Sequence, residues 1–147
     1  MSPEQAGAGG GSPGQSDVYA LGAVGYLLLT GNLPIDAEQL SSAMDESPMK
    51  ALELIRDHDA IPVSRRAARS LEAGALPGGL DHPGVVRELQ GEPDWILGKA
   101  LARDDELRYA DAASLARDLV AFREGAPVSA APPSLVYQTR KFLRVYR

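Results

Sequence analysis

The residues able to do chemistry are few and far apart. His58 and His82 have no third ligand beside either, and the chain contains no cysteine, so disulfide frameworks and thiolate metal sites are excluded and no metal is assigned. Gly9, Gly10 and Gly11 resemble the glycines of a phosphate cradle, but no strand precedes them and no Gly-Lys-Ser follows, so they carry no nucleotide. A net charge of −5 argues against nucleic acid as a general partner. The charge is uneven: no acidic residue follows Glu124, whereas Arg140, Lys141, Arg144 and Arg147 do. Such a cluster is attracted to anionic lipid by about 1 kcal/mol per charge near the surface, and a solvated helix face would show the same residues.

The elements that must position these residues read as helices. Residues 16–31, SDVYALGAVGYLLLTG, run uncharged from Val18 to Leu29 between Ser16 or Asp17 as N-cap and Gly31 as a left-handed stop. The run is too short for a bilayer, which takes about 20 residues, so it is expected as a core helix that buries Leu21, Val24, Leu27 and Leu28. Ser47-Pro48 opens a second helix with Ala51, Leu52, Leu54 and Ile55 as its stripe, and Pro93 opens a third with Trp95, Ile96, Leu97, Ala100 and Leu101 as core. Asp111 caps a fourth that carries Leu115, Ala116, Leu119 and Phe122 and stops at Gly125. Residues 1–15 are expected as a loop with at most one turn at positions 3–6, and residues 36–44 as a loop. Residues 60–91 are expected to be extended and turn-rich, with Arg65, Arg66 and Arg69 solvated and a short helix at 85–90. Residues 127–133 form a spacer, after which Ser134 caps a basic amphipathic helix with Leu135, Phe142 and Tyr146 near one face and Arg140, Arg144 and Arg147 on another. No internal repeat and no strand-like alternation occurs, so the fold class is all-α.

In order, MSPEQ, SDVYALGAVGYLLLTGNLPI and PDWILGKALARDDELRYADAASLARDL resemble the C-terminal lobe of a protein kinase, of the bacterial serine/threonine branch. The resemblance makes residues 1–126 a partial kinase domain: the end of the activation segment, then helices F, G, H and I. Residues 127–147 resemble the juxtamembrane segment that leads to a membrane span or a repeat region. It implies a buried ion pair between Glu4 and Arg108. It implies that Asp17 in helix F holds the catalytic loop, and that Val24 and Leu28 support the internal hydrophobic columns. Leu27 departs from a glutamate common in the family, Gln15 from an arginine and Asp105 from a proline.

Phosphoryl transfer needs a glycine-rich loop, a strand lysine with its glutamate, a catalytic-loop aspartate and a magnesium-binding aspartate. None of these occurs in the 147 residues. The expectation is therefore an incomplete domain, inactive alone, with no catalytic, cofactor-binding or metal residue of its own, although ATP and Mg serve the full-length family. The family's partners would be a protein substrate or the remaining kinase half. An apolar face open to self-association and an anionic membrane surface for the basic tail are also expected. The second reading is a non-catalytic interaction module using the helix G surface around Lys50, Glu53 and Arg56. Met1 is followed by Ser-Pro-Glu rather than by a basic and apolar leader, so the expected location is the cytoplasm, on the membrane's cytoplasmic side if a span follows.

Overall fold

In the computed structural model, residues 1–6 and 12–145 are described, without the side chains at positions 4, 5, 144 and 145. The described residues are all-helical, with no strand. They form α1 (Pro3–Ala6), α2 (Pro13–Thr30), α3 (Ala37–Glu46), α4 (Pro48–Asp57), α5 (Val63–Glu72), α6 (Gly84–Leu89), α7 (Glu92–Ala100), α8 (Ala112–Glu124) and α9 (Leu135–Val145), with a 3-10 turn at Asp105–Leu107.

Helix α2 is the axis, in contact with α5, α7 and α8. It starts earlier than its polar residues suggest. Ser12 takes the N-cap position without a side-chain bond and Pro13 stands in the first turn, where its missing N–H costs nothing, so Ser16 and Asp17 lie inside the helix and do not cap it. The end is as the sequence indicates: Gly31 adopts φ 73° and its N–H bonds the carbonyl of Leu27 at 2.8 Å. Between those ends the burial is one-sided. Val18, Tyr19, Gly22, Tyr26 and Thr30 are buried, whereas Leu21, Val24, Leu27 and Leu28 are exposed, Val24 by 54% and Leu28 by 65%. The expected burial of these four is corrected, because among the described residues no element covers that side of α2.

Two apolar clusters meet along α2 and α7. Tyr19, Tyr26, Leu97 and Leu101 join Val63 and Ala67 of α5 and Val85 and Leu89 of α6 in one cluster. Val18, Ile96 and Ala100 join Tyr109, Leu115 and Val128 in the other. The buried Tyr26 hydroxyl donates to the carbonyl of Ile61 at 3.0 Å, and burial pushes its pKa up to about 12.

Two further expectations are corrected. The ten residues of α3 are helical because the segment lies against α4, which supplies a partner for its half-buried Leu40 and Ala43. Residues 63–72 form α5, whose buried face consists of Val63, Ser64, Arg66, Ala67 and Ser70. Arg66 is 8% exposed and not solvated: it pairs with Asp36 and donates to the carbonyl of Leu33 at 3.3 Å, fixing the start of α3 to α5. Where signals are explicit the helices follow them. Ser47 caps α4 by accepting the Lys50 N–H at 3.2 Å, Asp111 caps α8 by accepting that of Ser114 at 2.7 Å, and Gly125 ends α8 at φ 75°.

The crossing of α2 and α7 depends on Gly22. A Cβ there would stand 2.9 Å from the Cβ of Ala100 and 3.2 Å from Cγ of Leu101, so the two helices approach to a distance only glycine permits. Gly98, on the outer face of α7, meets nothing within 4 Å. Gly22→Val is expected to lower unfolding free energy by about 1–3 kcal/mol through overpacking, and Gly98→Ala to raise it by about 0.5–1 kcal/mol. Urea titration followed by circular dichroism reads both, and a neutral Gly22→Val would show that the crossing is not tight.

Candidate functional site

The polar residues that the fold buries lie where loops meet helices. The connection from α7 to α8 is held by Arg108, which is 4% exposed. Asp104 accepts the Glu106 N–H at 3.0 Å and so shapes the 3-10 turn that delivers Arg108 inward. The guanidinium donates through Nε to the carbonyl of Ala102 at 2.7 Å, through Nη2 to that of Arg103 at 3.3 Å and through Nη1 to that of Gln15 at 3.2 Å. Its Cζ lies 5.0 Å from the centre of the Tyr19 ring, a cation over an aromatic face. One side chain thus ties its own loop to the first turns of α2. Gln15 Nε2 adds a bond to the carbonyl of Asp105 at 2.8 Å across the same junction. The Glu4 side chain lies outside the described residues.

A second buried centre is Asp118, which sequence reasoning did not single out. Its carboxylate accepts from the Tyr109 hydroxyl at 2.7 Å, the Ser129 N–H at 2.7 Å, the Ser129 hydroxyl at 2.9 Å and the Ala130 N–H at 2.9 Å. Burial alone would raise this carboxyl, but the donated bonds outweigh it and hold the pKa below the usual range, while burial beside the anion pushes the Tyr109 hydroxyl up. The spacer after α8 is therefore pinned to α8. The available signal was positional: Asp118 falls three residues after buried Leu115, on the same helical face.

A third centre holds α9. Glu92 at the start of α7 accepts from the Tyr137 hydroxyl and from Lys141 Nζ, the latter at 2.8 Å. The Tyr137 oxygen accepts the Val128 N–H at 3.0 Å, its ring meets Trp95 edge to face at 5.4 Å, and burial together with Glu92 pushes its pKa up to about 12. Asp94, two residues further on, takes the Ser64 N–H at 2.9 Å and hydroxyl at 2.6 Å, joining α7 to α5.

Each buried carboxylate is engaged with amides, hydroxyls or a lysine that fix a loop or a helix. Among the described residues no group of three or more His, Cys, Asp or Glu side chains converges as a metal site, and His58 donates its Nε2–H to the carbonyl of Pro34 at 2.9 Å. The glycines at 9–11 lie outside the described residues. On α4 the candidate docking charges are exposed, but Lys50 pairs with Glu46 and Arg56 with Asp57.

A large apolar opening lies along α2. Leu21, Leu28 and Gly25 form one wall of a groove of about 490 Å³ whose other side is Leu119 and Phe122 of α8, and Glu88 is its single charged lining residue. Asp17 is exposed near the start of the same helix, so the structure brings Val24 and Leu28 onto one open face but leaves Arg108 in a separate place. Arg140 and Lys141 lie on α9 and line a neighbouring cleft that shares Glu88, Pro93 and Phe122 with the groove, Arg144 is in that helix without a described side chain, and Arg147 is outside the described residues. No helix among the described residues is long and apolar enough to cross a membrane.

No family model matches the chain. Curated relatives do. Over 131 residues the chain is 34% identical to the serine/threonine-protein kinase PknB of Mycobacterium leprae, and over 130 residues 35% identical to PknB of Mycobacterium tuberculosis. Pkn1 of Myxococcus xanthus, also a serine/threonine-protein kinase, is 32% identical over 131 residues. Each match takes in 88% of this chain but only 15–16% of the relative. The chain is thus homologous to one part of bacterial serine/threonine kinases, and its all-helical architecture fits the helical C-lobe of that fold.

Asp118 gives a test with a defined sign. Its folded-state pKa is depressed, so its contribution is complete above the unfolded value and is lost as pH falls through the folded one. Asp118→Asn is expected to cost about 1.5–3 kcal/mol at neutral pH, with the difference from wild type shrinking in acid below the ordinary aspartate range. Urea midpoints at a series of pH values check this, and a pH-independent difference would exclude the carboxylate as the pin. Arg108→Lys is expected to destabilise by a similar amount, about 1.5–3 kcal/mol, because one ammonium cannot reach three diverging carbonyls.

Proposed function

We propose that these residues are the helical lower part of a bacterial kinase domain that transfers phosphate from ATP to serine or threonine of proteins, and that the 147 residues do not catalyse transfer by themselves. The observation that carries this reading is the central helix. A helix that is uncharged from Val18 to Thr30 is suited to being surrounded, and α2 leaves Leu21, Val24 and Leu28 uncovered beside an apolar groove. The groove and the exposed side of α2 are then the seat of the rest of the kinase fold. In this reading Asp17, exposed near the start of that helix, receives backbone N–H groups of a catalytic loop. The pairing of Glu4 with Arg108 belongs to the same reading, as does a cytoplasmic location, where ATP is supplied.

Catalysis of phosphoryl transfer consists of positioning and charge stabilisation by a phosphate-covering loop, a lysine and metal-holding aspartates. The chain supplies no such set. Similarity to 15–16% of such kinases supports the family chemistry, while the residues present support a structural share in it.

The purified 147-residue chain, incubated with Mg-ATP labelled on the γ-phosphate and a generic protein substrate, is expected to transfer no more label than a blank. It is also expected to bind an apolar dye and to self-associate, with both effects reduced in Leu21→Ser/Val24→Ser/Leu28→Ser. Transfer that persists through independent preparations would overturn the inactivity. A sharp monomeric melt without dye binding would overturn the open-face assignment.

A further inference from the structure

The tail helix is attached to the protein by the wrong side for an ordinary amphipathic helix. Residues 135, 136, 139, 142 and 143 of α9 fall within an arc of about 120° at 3.6 residues per turn, all apolar except Thr139. That arc is turned away from the protein: Leu135 is 82% exposed, Val136 78%, Leu143 65% and Phe142 60%. Tyr137 and Lys141, from the polar side, make the contacts with Glu92, Trp95 and Val128. The Lys141–Glu92 pair is largely buried on both partners, so a charged, directional contact fixes the orientation together with the packing of the Tyr137 ring on Trp95. Arg140 borders the apolar arc and is exposed.

We propose that α9 is an interfacial helix for an anionic lipid surface: clamped to α7 by Tyr137 and Lys141, it offers Leu135, Val136 and Leu143 to the boundary of the acyl chains. An apolar arc beside a basic flank is the pattern of helices that lie in the plane of a membrane surface. Charge selects the occupant. No acidic residue follows Glu124, so a second copy of α9 laid against the first would bring Arg140 toward the arginines of its partner with no carboxylate on either helix to answer them. Anionic headgroups supply that countercharge, and the acyl boundary takes the leucines. The groove along α2 differs: its single charged lining residue is the acidic Glu88.

The test is co-sedimentation of the full 147-residue chain with phosphatidylcholine vesicles that contain or lack phosphatidylserine. Binding is expected with phosphatidylserine and to be weaker by about tenfold or more without it. Salt should weaken it without abolishing it. Leu135→Ser/Leu143→Ser, at two exposed positions where folding is not at stake, should reduce it by about tenfold or more. Circular dichroism confirms that the variant is folded. Equal partition to both vesicle types would overturn the proposal, as would anionic binding that the double variant leaves unchanged, since charge alone would then suffice. A stable dimer that the double variant dissolves, without vesicle binding, would assign the face to a second copy instead.

Discussion

The close crossing of α2 and α7 at Gly22 is the constraint on which the other packing relations depend. Because no side chain separates the helices there, Ala100 and Leu101 press directly on α2. The residues flanking the crossing are distributed to its two sides, Tyr19 and Tyr26 into one cluster and Val18 into the other. α7 divides in the same way, with Leu97 and Leu101 on one side and Ile96 and Ala100 on the other. A larger residue at position 22 would part the helices and loosen both clusters together. The helix-propensity cost of glycine, about 1 kcal/mol, is small beside the burial it permits.

Apolar packing of this kind does not specify where connections run, and the buried polar groups supply that information. Arg108 holds the α7–α8 loop against the beginning of α2, Asp118 holds the spacer against α8, and Asp94 and Arg66 position α5 against α7 and the start of α3. Arg108 and Asp118 are charges removed from water, which costs several kcal/mol unless their bonds are satisfied, so they tolerate few alternative arrangements of the loops they bind. Loops that would otherwise be free are made part of a single arrangement by four side chains.

This division explains what was legible in the sequence. Helices with explicit punctuation, Ser47-Pro48, Asp111, Gly31 and Gly125, could be located because capping is a local interaction between residues a few positions apart. The start of α2 was displaced because Pro13-Gly14 reads as a breaker, although proline suits a first turn and Gly14 lies where a Cβ would come 3.4 Å from the carbonyl of Ala110. Helix α5 escaped because its buried face is made of Val63, Ala67 and two serines, a stripe with little hydrophobic contrast, and because Arg66 looks like its solvated neighbours Arg65 and Arg69. Asp118 and Arg108 owe their burial to segments distant in sequence or folded back on them, so local composition does not distinguish Asp118 from a surface aspartate and its spacing from Leu115 is the one local signal. The family resemblance singled out Arg108, and the described bonds of that residue run to backbone carbonyls.

The chain leaves two apolar faces uncovered, and they ask for different surroundings. The face of α2 is broad, continuous with a groove, and nearly devoid of charge, so removing it from water requires another apolar surface shaped to the groove, as another part of a protein fold provides. The face of α9 is a narrow stripe on a convex helix bordered by arginine. A rigid protein surface would have to match both the stripe and the cations beside it, whereas a fluid anionic interface adapts to the leucines and supplies negative charge at the depth of the guanidinium. The Glu92 clamp has a consequence for that arrangement. By engaging Tyr137 and Lys141 it removes from the interface the two polar groups that point back toward α7, and so keeps the helix from rolling its apolar arc onto the protein.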